Sequence, residues 1–394
     1  MSNLNFMEKL LGGVEVEWKL LDDVAEYEQP TKYLVKTKNY SDEFKTPVLT
    51  AGKTFILGYT DETNGIYQAS KTPVIIFDDF TTANKWVDFD FKAKSSAMKM
   101  ITSKDESRIL IKYIYYWLNT LPSDLMDSDH KRQWISNFAN KFIPLPSLDI
   151  QSEIVRILDN FTELTAELTA ELTARKKQYT YYRDKLLTFE DGEVEFKTLG
   201  EIGEFIRGSG LQKSDFTETG FPAIHYGQIY TYYGNFADKT KTFVSSELAT
   251  KLKKAKKNDL IIATTSENIE DVCKPLVWLG DNEVCVSGET YIFRHNQNAK
   301  YIAYYLQMPI FFDYKKLNRT GTKVTRVHGD KLAKFKIPIP ALKEQERIVS
   351  ILDKFDTFTN SISEGLPKEI ELRQKQYEYY RDLLLTFPKQ DLEL

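Results

Sequence analysis

The sequence of 394 residues contains only two cysteines, Cys273 and Cys285. Two thiols can form at most one bridge, so the disulfide framework of small secreted proteins is excluded. No apolar run approaches the roughly 20 residues that span a bilayer. The N-terminal stretch MSNLNFMEKLLGG lacks the basic and apolar parts of a secretion signal. These absences predict a cytoplasmic protein with reduced thiols and no membrane contact.

Motifs of the common catalytic centres are also missing. The segment AGKTF contains Gly-Lys-Thr, but a phosphate-binding loop needs a glycine five positions before Gly52, where the sequence has Pro47. There is no Pro-Pro-Tyr or Pro-Pro-Phe sequence of the amino-methyltransferases, and no glycine-rich cofactor loop opens a helix. No pair four positions apart, as helical zinc sites use, occurs among His130, His225, His295 and His328. We therefore expect no enzyme, no cofactor and no metal.

One acidic pattern leaves a weaker alternative. Asp78 and Asp79, followed by Asp-Phe-Lys at 90–92, match the spaced acids and lysine of metal-dependent nucleases. Because such spacing is common by chance, a nuclease centre is disfavoured.

The formal net charge of −4 does not favour nucleic-acid binding by the chain as a whole. Two segments are basic against that average, namely KLKKAKK at 251–257 and the stretch 315–336. A lysine run is often only a solvated face, so contact with phosphates is the second interpretation here. The basic residues of the second segment, against the single acid Asp330, are Lys315, Lys316, Arg319, Lys323, Arg326, Lys331, Lys334 and Lys336.

The most informative feature is a long internal repeat. The stretch from Ile143 to Phe189 returns between Ile337 and Phe387. Ile-Leu-Asp at 157–159 recurs at 351–353, an offset of 194, whereas Arg175 recurs as Arg373, an offset of 198. The copies therefore differ by four residues, 198 minus 194, in the middle. A duplication of this kind predicts internal two-fold pseudo-symmetry and a target that is itself roughly two-fold.

The repeat includes the regions that precede these stretches. VEWKLLDDV at 16–24 aligns with VEFKTLGEI at 194–202, and KYIYYWL at 112–118 aligns with KYIAYYL at 300–306. A third alignment pairs Pro47 with Pro222 and Gly52 with Gly227. Apolar positions are shared while polar loop residues differ. This is the pattern of two domains of one fold that bind different targets.

Within each region, β-branched and aromatic runs bounded by Gly, Asn or Asp predict strands. The predicted strands are TFILGY, PVIIF and WVDFDF in the first region and GQIYTYY, DLIIAT and ETYIFR in the second. RILIKYIYYWLNTL and AKYIAYYLQM predict helices.

After each Ile-Pro-x-Pro sequence, apolar residues recur at spacings of three and four, which predicts a long amphipathic helix. The first helix is expected from Gln151 to Leu187, and TELTAELTAELTA at 162–174 inside it forms a four-residue repeat. Each four-residue unit adds about 6 Å of helix, and because inserting or deleting one unit leaves an apolar residue at every fourth position, this segment tolerates changes of length. The apolar stripe needs a partner, and the other helix, running antiparallel, is favoured over packing of each helix on its own region.

The predicted fold class is α+β, with two pseudo-two-fold-related mixed α/β domains separated by two long helices that form an antiparallel coiled coil. The boundaries are expected at 1–146 for the first domain, 147–190 for its helix, 191–340 for the second domain and 341–394 for the second helix and tail. MEKLLGGVEVEW at 7–18 also echoes RDKLLTFEDGEVEF at 183–196, which predicts a nearly circular arrangement of the repeats.

The chain resembles the specificity subunit of type I restriction–modification systems, in the class that carries Thr-Ala-Glu-Leu spacer repeats. The resemblance covers essentially the whole chain, and its most specific parts are the repeat at 165–172, the paired segments RKKQYTYYRDKLLTF and RQKQYEYYRDLLLTF, and the two Ile-Pro-x-Pro sequences. It implies that each domain recognises one half of a split site in double-stranded DNA. It also implies two methyltransferase subunits and additional restriction and translocase subunits as partners, with no catalysis by this chain. The alternative is a two-lobed coiled-coil adaptor for proteins that does not bind DNA.

Cationic side chains suit contacts with DNA phosphates, and side chains with hydrogen-bond donors or acceptors suit contacts with base edges. Two alignments guide the choice, because Lys53 aligns with Gln228 and Arg132 with Arg326. An arginine at the same position in both halves predicts a phosphate contact. A position with lysine in one half and glutamine in the other predicts a residue that distinguishes bases. The candidates in the first half are Thr50, Lys53, Thr54, Tyr67, Gln68, Lys85, His130, Lys131, Arg132 and Gln133. Those in the second half are Lys213, His225, Tyr226, Gln228, Lys323, Thr325 and Arg326.

Overall fold

A computed structural model describes residues 10, 16–52, 54–122, 132–190, 192–360 and 364–387 of the chain. The chain divides into two compact units, Met1–Ala166 with Leu372–Leu394, and Glu167–Glu371. Each unit therefore contains one mixed α/β region and part of each long helical stretch. The predicted fold class is confirmed, while the echo at 7–18 lies mostly outside the described residues.

The described part of the first α/β region is built from short strands and short helices. Its elements are β1 (Glu17–Leu20), α1 (Leu21–Val24), β2 (Ala25–Glu28), β3 (Thr46–Leu49), β4 (Ile56–Thr60), β5 (Val74–Asp78), β6 (Asn84–Val87), β7 (Lys92–Ala93), β8 (Met98–Ser103), α2 (Ile111–Leu118), α3 (Gln133–Ser136) and β9 (Phe142–Leu145). β2, β8, β5 and β6 form an antiparallel sheet in that order, and β3 lies between β4 and β7 in a second sheet. Every residue of β5 is buried, as expected for a continuous apolar run in the centre of a sheet.

The second α/β region follows after the helix α4 (Leu148–Leu187). Its elements are β10 (Glu195–Thr198), α5 (Leu199–Ile202), β11 (Gly203–Arg207), β12 (Phe221–Ile224), α6 (Tyr226–Thr231), β13 (Phe236–Ala237), β14 (Thr242–Val244), α7 (Ser246–Lys251), β15 (Lys254–Ala255), β16 (Leu260–Ala263), β17 (Thr265–Ser266), β18 (Lys274–Trp278), β19 (Val284–Val286), β20 (Thr290–His295), α8 (Ala299–Tyr305), α9 (Pro309–Asn318), β21 (Thr325–Arg326), α10 (Gly329–Leu332) and β22 (Lys336–Ile339). The strand order is β11-β20-β16-β18-β13 in one sheet and β14-β12-β19-β15 in another. The remaining strands form the pairs β10–β22 and β17–β21.

The two regions have the same strand pairing at the positions that the repeat aligns. Glu17 pairs with Leu145 in the antiparallel pair β1–β9, and Glu195 pairs with Ile339 in β10–β22. The central strands correspond as well, since β3 runs parallel to β7 and β12 runs parallel to β19. The shared apolar positions therefore produce the same strand pairing twice.

One strand prediction is wrong. The run GQIYTYY forms most of the helix α6 instead of a strand. His225 caps this helix, because its Nδ1 accepts a hydrogen bond from the Gly227 amide at 3.2 Å and its own amide donates to Gln228 Oε1 at 3.0 Å. A capping interaction of this kind satisfies amides of the first turn, and here it outweighs the strand preference of Ile and Tyr.

α4 has 40 residues, which at 1.5 Å per residue is about 60 Å of helix. The second stretch is not one continuous helix, since it consists of α11 (Leu342–Asn360) and α12 (Gly365–Leu384). Gly365 has φ +72°, and a Cβ there would lie 2.6 Å from the carbonyl oxygen of Thr357. Pro367 follows within the first turn of α12, where a helix needs no amide donor. A glycine and a proline thus interrupt the copy that lacks the Thr-Ala-Glu-Leu repeat.

The two helical stretches pack against each other in each unit. In the first unit, Phe161 of α4 stacks on Tyr380 of α12 with ring centroids 5.3 Å apart. In the second unit, Tyr182 of α4 stacks on Phe355 of α11 at 5.6 Å. The partner numbers fall as those of α4 rise, so the pairing is antiparallel, as predicted.

Each α/β region is joined to the helix that follows it by the same buried or partly buried polar contacts. In the first region, Asp159 of α4 accepts a hydrogen bond from the Tyr116 hydroxyl at 2.5 Å and pairs with Lys112 at 2.9 Å. Gln151 is fully buried and donates to the Pro146 carbonyl at 2.9 Å. Side-chain groups buried this way are costly to leave unpaired, so these contacts fix the start of each helix on its region.

The counterparts in the second region lie at the aligned positions. Asp353 of α11 accepts from the Tyr304 hydroxyl at 2.7 Å and pairs with Lys300 at 2.6 Å. Gln345 is fully buried and donates to the Pro340 carbonyl at 2.8 Å.

Both cysteines are buried free thiols. No helix within the described ranges is long and apolar enough to cross a membrane.

Candidate nucleic-acid interface

In the first region, the β3–β4 connection contains three candidates. The Thr50 amide donates to the Phe55 carbonyl at 2.8 Å, and its hydroxyl donates to the Thr54 carbonyl at 2.5 Å. These bonds close the loop, and Thr54 is exposed on it. Lys53 lies outside the described residues.

Tyr67 and Gln68 differ in their availability to a ligand. The Tyr67 ring packs against Tyr33 at 5.1 Å and Phe91 at 5.3 Å, and burial raises its pKa to about 12. Gln68 is exposed, and its Oε1 accepts a hydrogen bond from Lys71 at 2.8 Å. Tyr67 is therefore partly buried against the core of the region, whereas Gln68 lies at its surface.

Lys85 is an exposed residue of β6 and pairs in register with Ile76 of β5. His130 and Lys131 lie outside the described residues. Among the described atoms, no hydrogen bond or ion pair joins Lys85 to Thr50 or Tyr67.

Arg132 and Gln133 lie at the start of α3. The Gln133 amide donates to the Asp79 carbonyl at 2.9 Å, and the Trp134 amide donates to Asp79 Oδ1 at 2.9 Å. The Gln133 side chain is buried, whereas Arg132 is exposed. Burial lowers the pKa of the nearby Lys99, and the positive charge of Arg132 lowers it further, against the effect of Asp79. Arg132 is therefore the better placed of the two for a negatively charged ligand.

In the second region, three candidates lie around the start of α6. Gln228 is used internally, since its Oε1 caps His225 and its Nε2 donates to Thr242 at 3.2 Å. The His225 ring is buried beside Tyr226, with centroids 4.5 Å apart. Burial lowers the pKa of His225, and the charge of exposed Lys213 lowers it further. The neutral imidazole is thus favoured, in agreement with its role as an acceptor at the helix start.

The loop at 287–289 joins the start of α6 to Arg326. Ser287 Oγ accepts a hydrogen bond from the Tyr226 amide at 2.9 Å. Two positions later, Glu289 accepts a short hydrogen bond from the Thr265 hydroxyl, and its carboxylate lies 3.7 Å from Arg326 Nε. The structure therefore brings together Tyr226 and Arg326, which are far apart in the sequence, through a loop that the sequence analysis did not single out.

Arg326 ends a tight hairpin. Its amide and carbonyl pair with Thr320, at 2.9 and 2.8 Å, and Gly321 in the turn has φ +87°. Lys323 is exposed on this turn, whereas Thr325 is buried and pairs with Ser266 of β17. The hairpin presents Lys323 and Arg326 to solvent, which suits contact with phosphates.

Arg132 and Arg326 occupy corresponding positions in the two regions. The amide after Arg132 donates to the Asp79 carbonyl at 2.9 Å, and the amide after Arg326 donates to the Thr264 carbonyl at 3.1 Å. Asp79 and Thr264 each follow the central strand of their sheet, β5 and β16. The alignment of the two arginines, made from sequence, thus has a structural basis.

Three surface residues near this loop were not among the candidates. Arg207 Nε donates to the Gly288 carbonyl at 3.3 Å, and the Lys253 amide donates to Ser209 Oγ at 2.9 Å. Glu289 is the third. The basic run at 251–257 pointed to Lys253, but no sequence signal marked Glu289 because its partners come from distant elements.

Some basic residues of the stretch 315–336 stabilise the fold and are not available at the surface. Lys315 is buried, and its Nζ donates to the carbonyls of Glu270 at 2.7 Å and Val272 at 2.8 Å. Not every lysine of the stretch 315–336 is therefore available to a ligand.

The nuclease-like acids have separate partners. Asp90 accepts a hydrogen bond from Ser70 at 2.6 Å, Lys92 pairs with Glu62 at 3.0 Å, and Asp79 lies 3.7 Å from Lys99. Within the part of the chain that the structure describes, no group of three or more His, Cys, Asp or Glu residues could hold a metal ion.

Comparison with known proteins adds a family assignment. A model of the type I restriction modification DNA specificity domain matches the chain twice, at residues 13–175 and 191–372. The type I restriction enzyme EcoR124I/EcoR124II specificity subunit of Escherichia coli is 54% identical over 400 residues, covering 99% of this chain and 98% of that protein. A putative type I restriction enzyme specificity subunit of Haemophilus influenzae is 33% identical over 414 residues, covering 98% and 99%.

A solved structure shows the same fold. The S subunit of a type I restriction–modification system from M. genitalium matches with a TM-score of 0.61 at 17% identity, covering 96% of this chain and 98% of that one.

Proposed function

The chain belongs to the family of type I restriction–modification DNA specificity subunits, and from this premise we propose that each α/β region reads one half of a bipartite DNA target. The proposed readers are residues 1–146 and 191–340, with 147–190 and 341–394 as the helices between them. Family membership does not favour the alternative of an adaptor that ignores DNA.

The observation that carries the proposal is that the two regions share one strand pairing but differ in the residues that follow equivalent strands. Arg132 and Arg326 each directly precede the residue whose amide makes the equivalent backbone contact, so both suit the sequence-independent role of binding phosphate. At the end of the equivalent strands β3 and β12, however, the sequence continues with Thr50 in one region and His225 in the other. Two domains that recognise different half-sites need the same cation for the phosphate backbone and different neighbouring residues for the bases. The other candidate contacts named from sequence remain part of this proposal.

The long helix α4 is proposed to set the gap between the half-sites. Four residues of helix correspond to about 6 Å, or roughly two base-pair rises. The Thr-Ala-Glu-Leu repeat is therefore a segment where the gap can change while the helix remains continuous.

The helices are also the proposed docking surface for the methyltransferase subunits. Tyr181 and Tyr379 are 61% and 55% exposed, whereas the adjacent Tyr182 and Tyr380 stack on Phe355 and Phe161 of the opposite helix. Tyrosine is enriched in protein interfaces because it provides an apolar ring with a polar end. We propose two methyltransferase subunits and additional restriction and translocase subunits as partners. In such a complex the chain supplies target recognition in the cytoplasm and its partners supply the catalysis.

A selection experiment tests the function. The full chain, co-purified with the methyltransferase subunit of its own system, is incubated with random-sequence duplexes, and the bound fraction is sequenced. The expected result is two short blocks of preferred bases separated by a gap without preference. One continuous block, or no DNA binding even at low salt, would contradict the proposal.

A variant adds a test of the assigned phosphate contact. Arg326→Ala should weaken binding to all duplexes about equally and reduce the slope of log affinity against log salt by about one. Lys197→Ala is the control, since Lys197 lies in the same region outside both basic segments and pairs with Glu195 at 3.1 Å. Assembly with the methyltransferase subunit should be unchanged in both variants.

A further inference from the structure

We propose that Glu289 is a base-reading residue of the second region, which accepts a hydrogen bond from the exocyclic amino group of cytosine or adenine in the major groove. This inference rests on the proposed function, because it assumes that the loop at 287–289 and Arg326 face DNA.

The backbone of Glu289 is held firmly. Its carbonyl accepts hydrogen bonds from the Thr264 amide at 3.0 Å and from the Thr264 hydroxyl at 3.3 Å. The next residue, Thr290, is fully buried at the start of β20. A reading side chain needs a rigid support of this kind, because small errors of position weaken a directional hydrogen bond.

One carboxylate oxygen is engaged and the other is available. Oε2 accepts from the Thr265 hydroxyl and faces Arg326 Nε at 3.7 Å. Oε1 has no hydrogen-bond or ion-pair partner among the described residues, and the side chain is 36% exposed. The engaged oxygen fixes the orientation of the carboxylate, which leaves Oε1 directed to a donor from outside the chain.

Electrostatics determines which donor fits. A carboxylate beside Arg326 would repel phosphates from a surface on which the exposed Arg326 and Lys323 attract them. That repulsion is offset when the carboxylate meets the amino groups of base edges, and in the major groove cytosine N4 and adenine N6 present such donors. Glu289 thus suits a base contact, while Arg326 beside it suits the phosphate contact.

The first region has a different residue at this position. The Asp79 amide donates to the Ala97 carbonyl at 3.4 Å, in the same way as the Thr264 amide donates to Glu289. Ala97 and Glu289 both directly precede the corresponding strands, β8 and β20. The arginine is retained in both regions and the carboxylate is not, as expected when the carboxylate contributes to specificity and the arginine to affinity.

The test uses the complex of the full chain with its methyltransferase subunit and a random-sequence duplex library. Glu289→Ala should lower the preference for one base at one position of one half-site by about tenfold, and leave the other half-site unchanged. Glu289→Gln keeps an acceptor for Thr265 and adds amide donors. It should therefore shift the preference at that position towards adenine, which offers an acceptor and a donor to an amide.

Glu283→Ala is the matched control, because Glu283 is a surface carboxylate of the same region that lies 3.9 Å from Lys256. It should leave every position unchanged. A merely structural role of Glu289 would not change which base is preferred. A uniform loss of affinity in both Glu289 variants, with all preferences intact, would overturn the inference and leave the proposed function standing. Failure of the unmodified complex to select any duplex would overturn both.

Discussion

The hydroxyl of Tyr304 donates a hydrogen bond of 2.7 Å to the carboxylate of Asp353, which also pairs with Lys300 at 2.6 Å. Desolvation by burial and the neighbouring negative charges of Asp356 and Asp353 raise the pKa of Tyr304 far above its usual range. The hydroxyl therefore remains protonated and available as a donor.

Asp353→Ala should destabilise the second unit by about 1–3 kcal/mol, because it leaves a largely buried hydroxyl and an ammonium without their acceptor. Urea unfolding of the full chain measures this change. Glu344→Ala serves as the control, since its ion pair with Arg347 at 2.6 Å lies on the surface of the same helix and should contribute less than about 1 kcal/mol. Equal losses of unfolding free energy in the two variants would show that the hydrogen bond from Tyr304 contributes no more to stability than a surface ion pair.

Leu384→Ala should destabilise the first unit although the residue lies far along the chain from the first α/β region. Leu384 is fully buried in the core cluster that contains Ile75 and Ile101. Loss of a buried leucine side chain costs about 2–5 kcal/mol. Hydrogen exchange should therefore accelerate in the strand Val74–Asp78 and not in Leu260–Ala263.

Leu372→Ala is the control for that change, because Leu372 lies on the same helix with 48% of its surface exposed. Faster exchange confined to the second unit in the Leu384 variant would contradict the assignment of α12 to the first core.

Deletion of the four residues 169–172 removes one Thr-Ala-Glu-Leu unit and about 6 Å of helix. The ring stacks at Phe161 and Tyr182 lie outside the deleted segment and should persist. We expect the preferred bases of both half-sites to stay the same while the gap between them shortens by one or two base pairs. Selection from random duplexes provides the measurement, and a changed base preference with an unchanged gap would contradict the role of α4.

Acid should weaken the first unit through Glu62. Burial alone would raise the pKa of this carboxyl, but the amides of Thr37 and Lys36 and the ammonium of Lys92 hold it at about 2. Because the pKa is lower in the folded state than the ordinary 4.5, the contribution to stability is present above about pH 4.5 and disappears as the pH falls towards 2.

Glu62→Gln should flatten the dependence of stability on pH within that window, as followed by denaturant unfolding between pH 2 and 5. Glu43→Gln is the control, since Glu43 is an exposed carboxylate of the same region. An unchanged pH dependence in the Glu62 variant would exclude this carboxyl as the cause.

The repeat allowed much of the fold to be predicted, because the same pattern of apolar positions occurs twice in the sequence. Glu17 pairs with Leu145 and Glu195 with Ile339, so the positions that the repeat aligns have the same register in both regions. The strand predicted at GQIYTYY failed because a capping contact between His225 and Gln228 outweighs local preference. The break in the second helical stretch depends on Gly365 and Pro367, whose positions are visible in the sequence but whose effect depends on the surrounding helix.

The candidate site was less accessible to prediction. Arg326 could be named because its counterpart Arg132 aligns with it. Glu289 could not be named, because its proposed role depends on its contacts with Thr265 and Arg326. These residues are distant in the sequence and only the fold brings them beside Glu289. The side chains of Gln133 and Gln228 have the right chemistry for base contact, yet one is buried and the other is engaged within the fold.

The composition of the two units has a consequence for biosynthesis. The core of the second unit draws on residues from Tyr179 to Leu352, all of which leave the ribosome before residue 372. The core of the first unit includes Leu384, Leu385 and Phe387, so it lacks part of its apolar surface until those residues have been translated. The region that is made first is thus completed last. The nascent chain should therefore expose an unfinished N-terminal core throughout synthesis of the second unit, the period in which it most needs protection from aggregation.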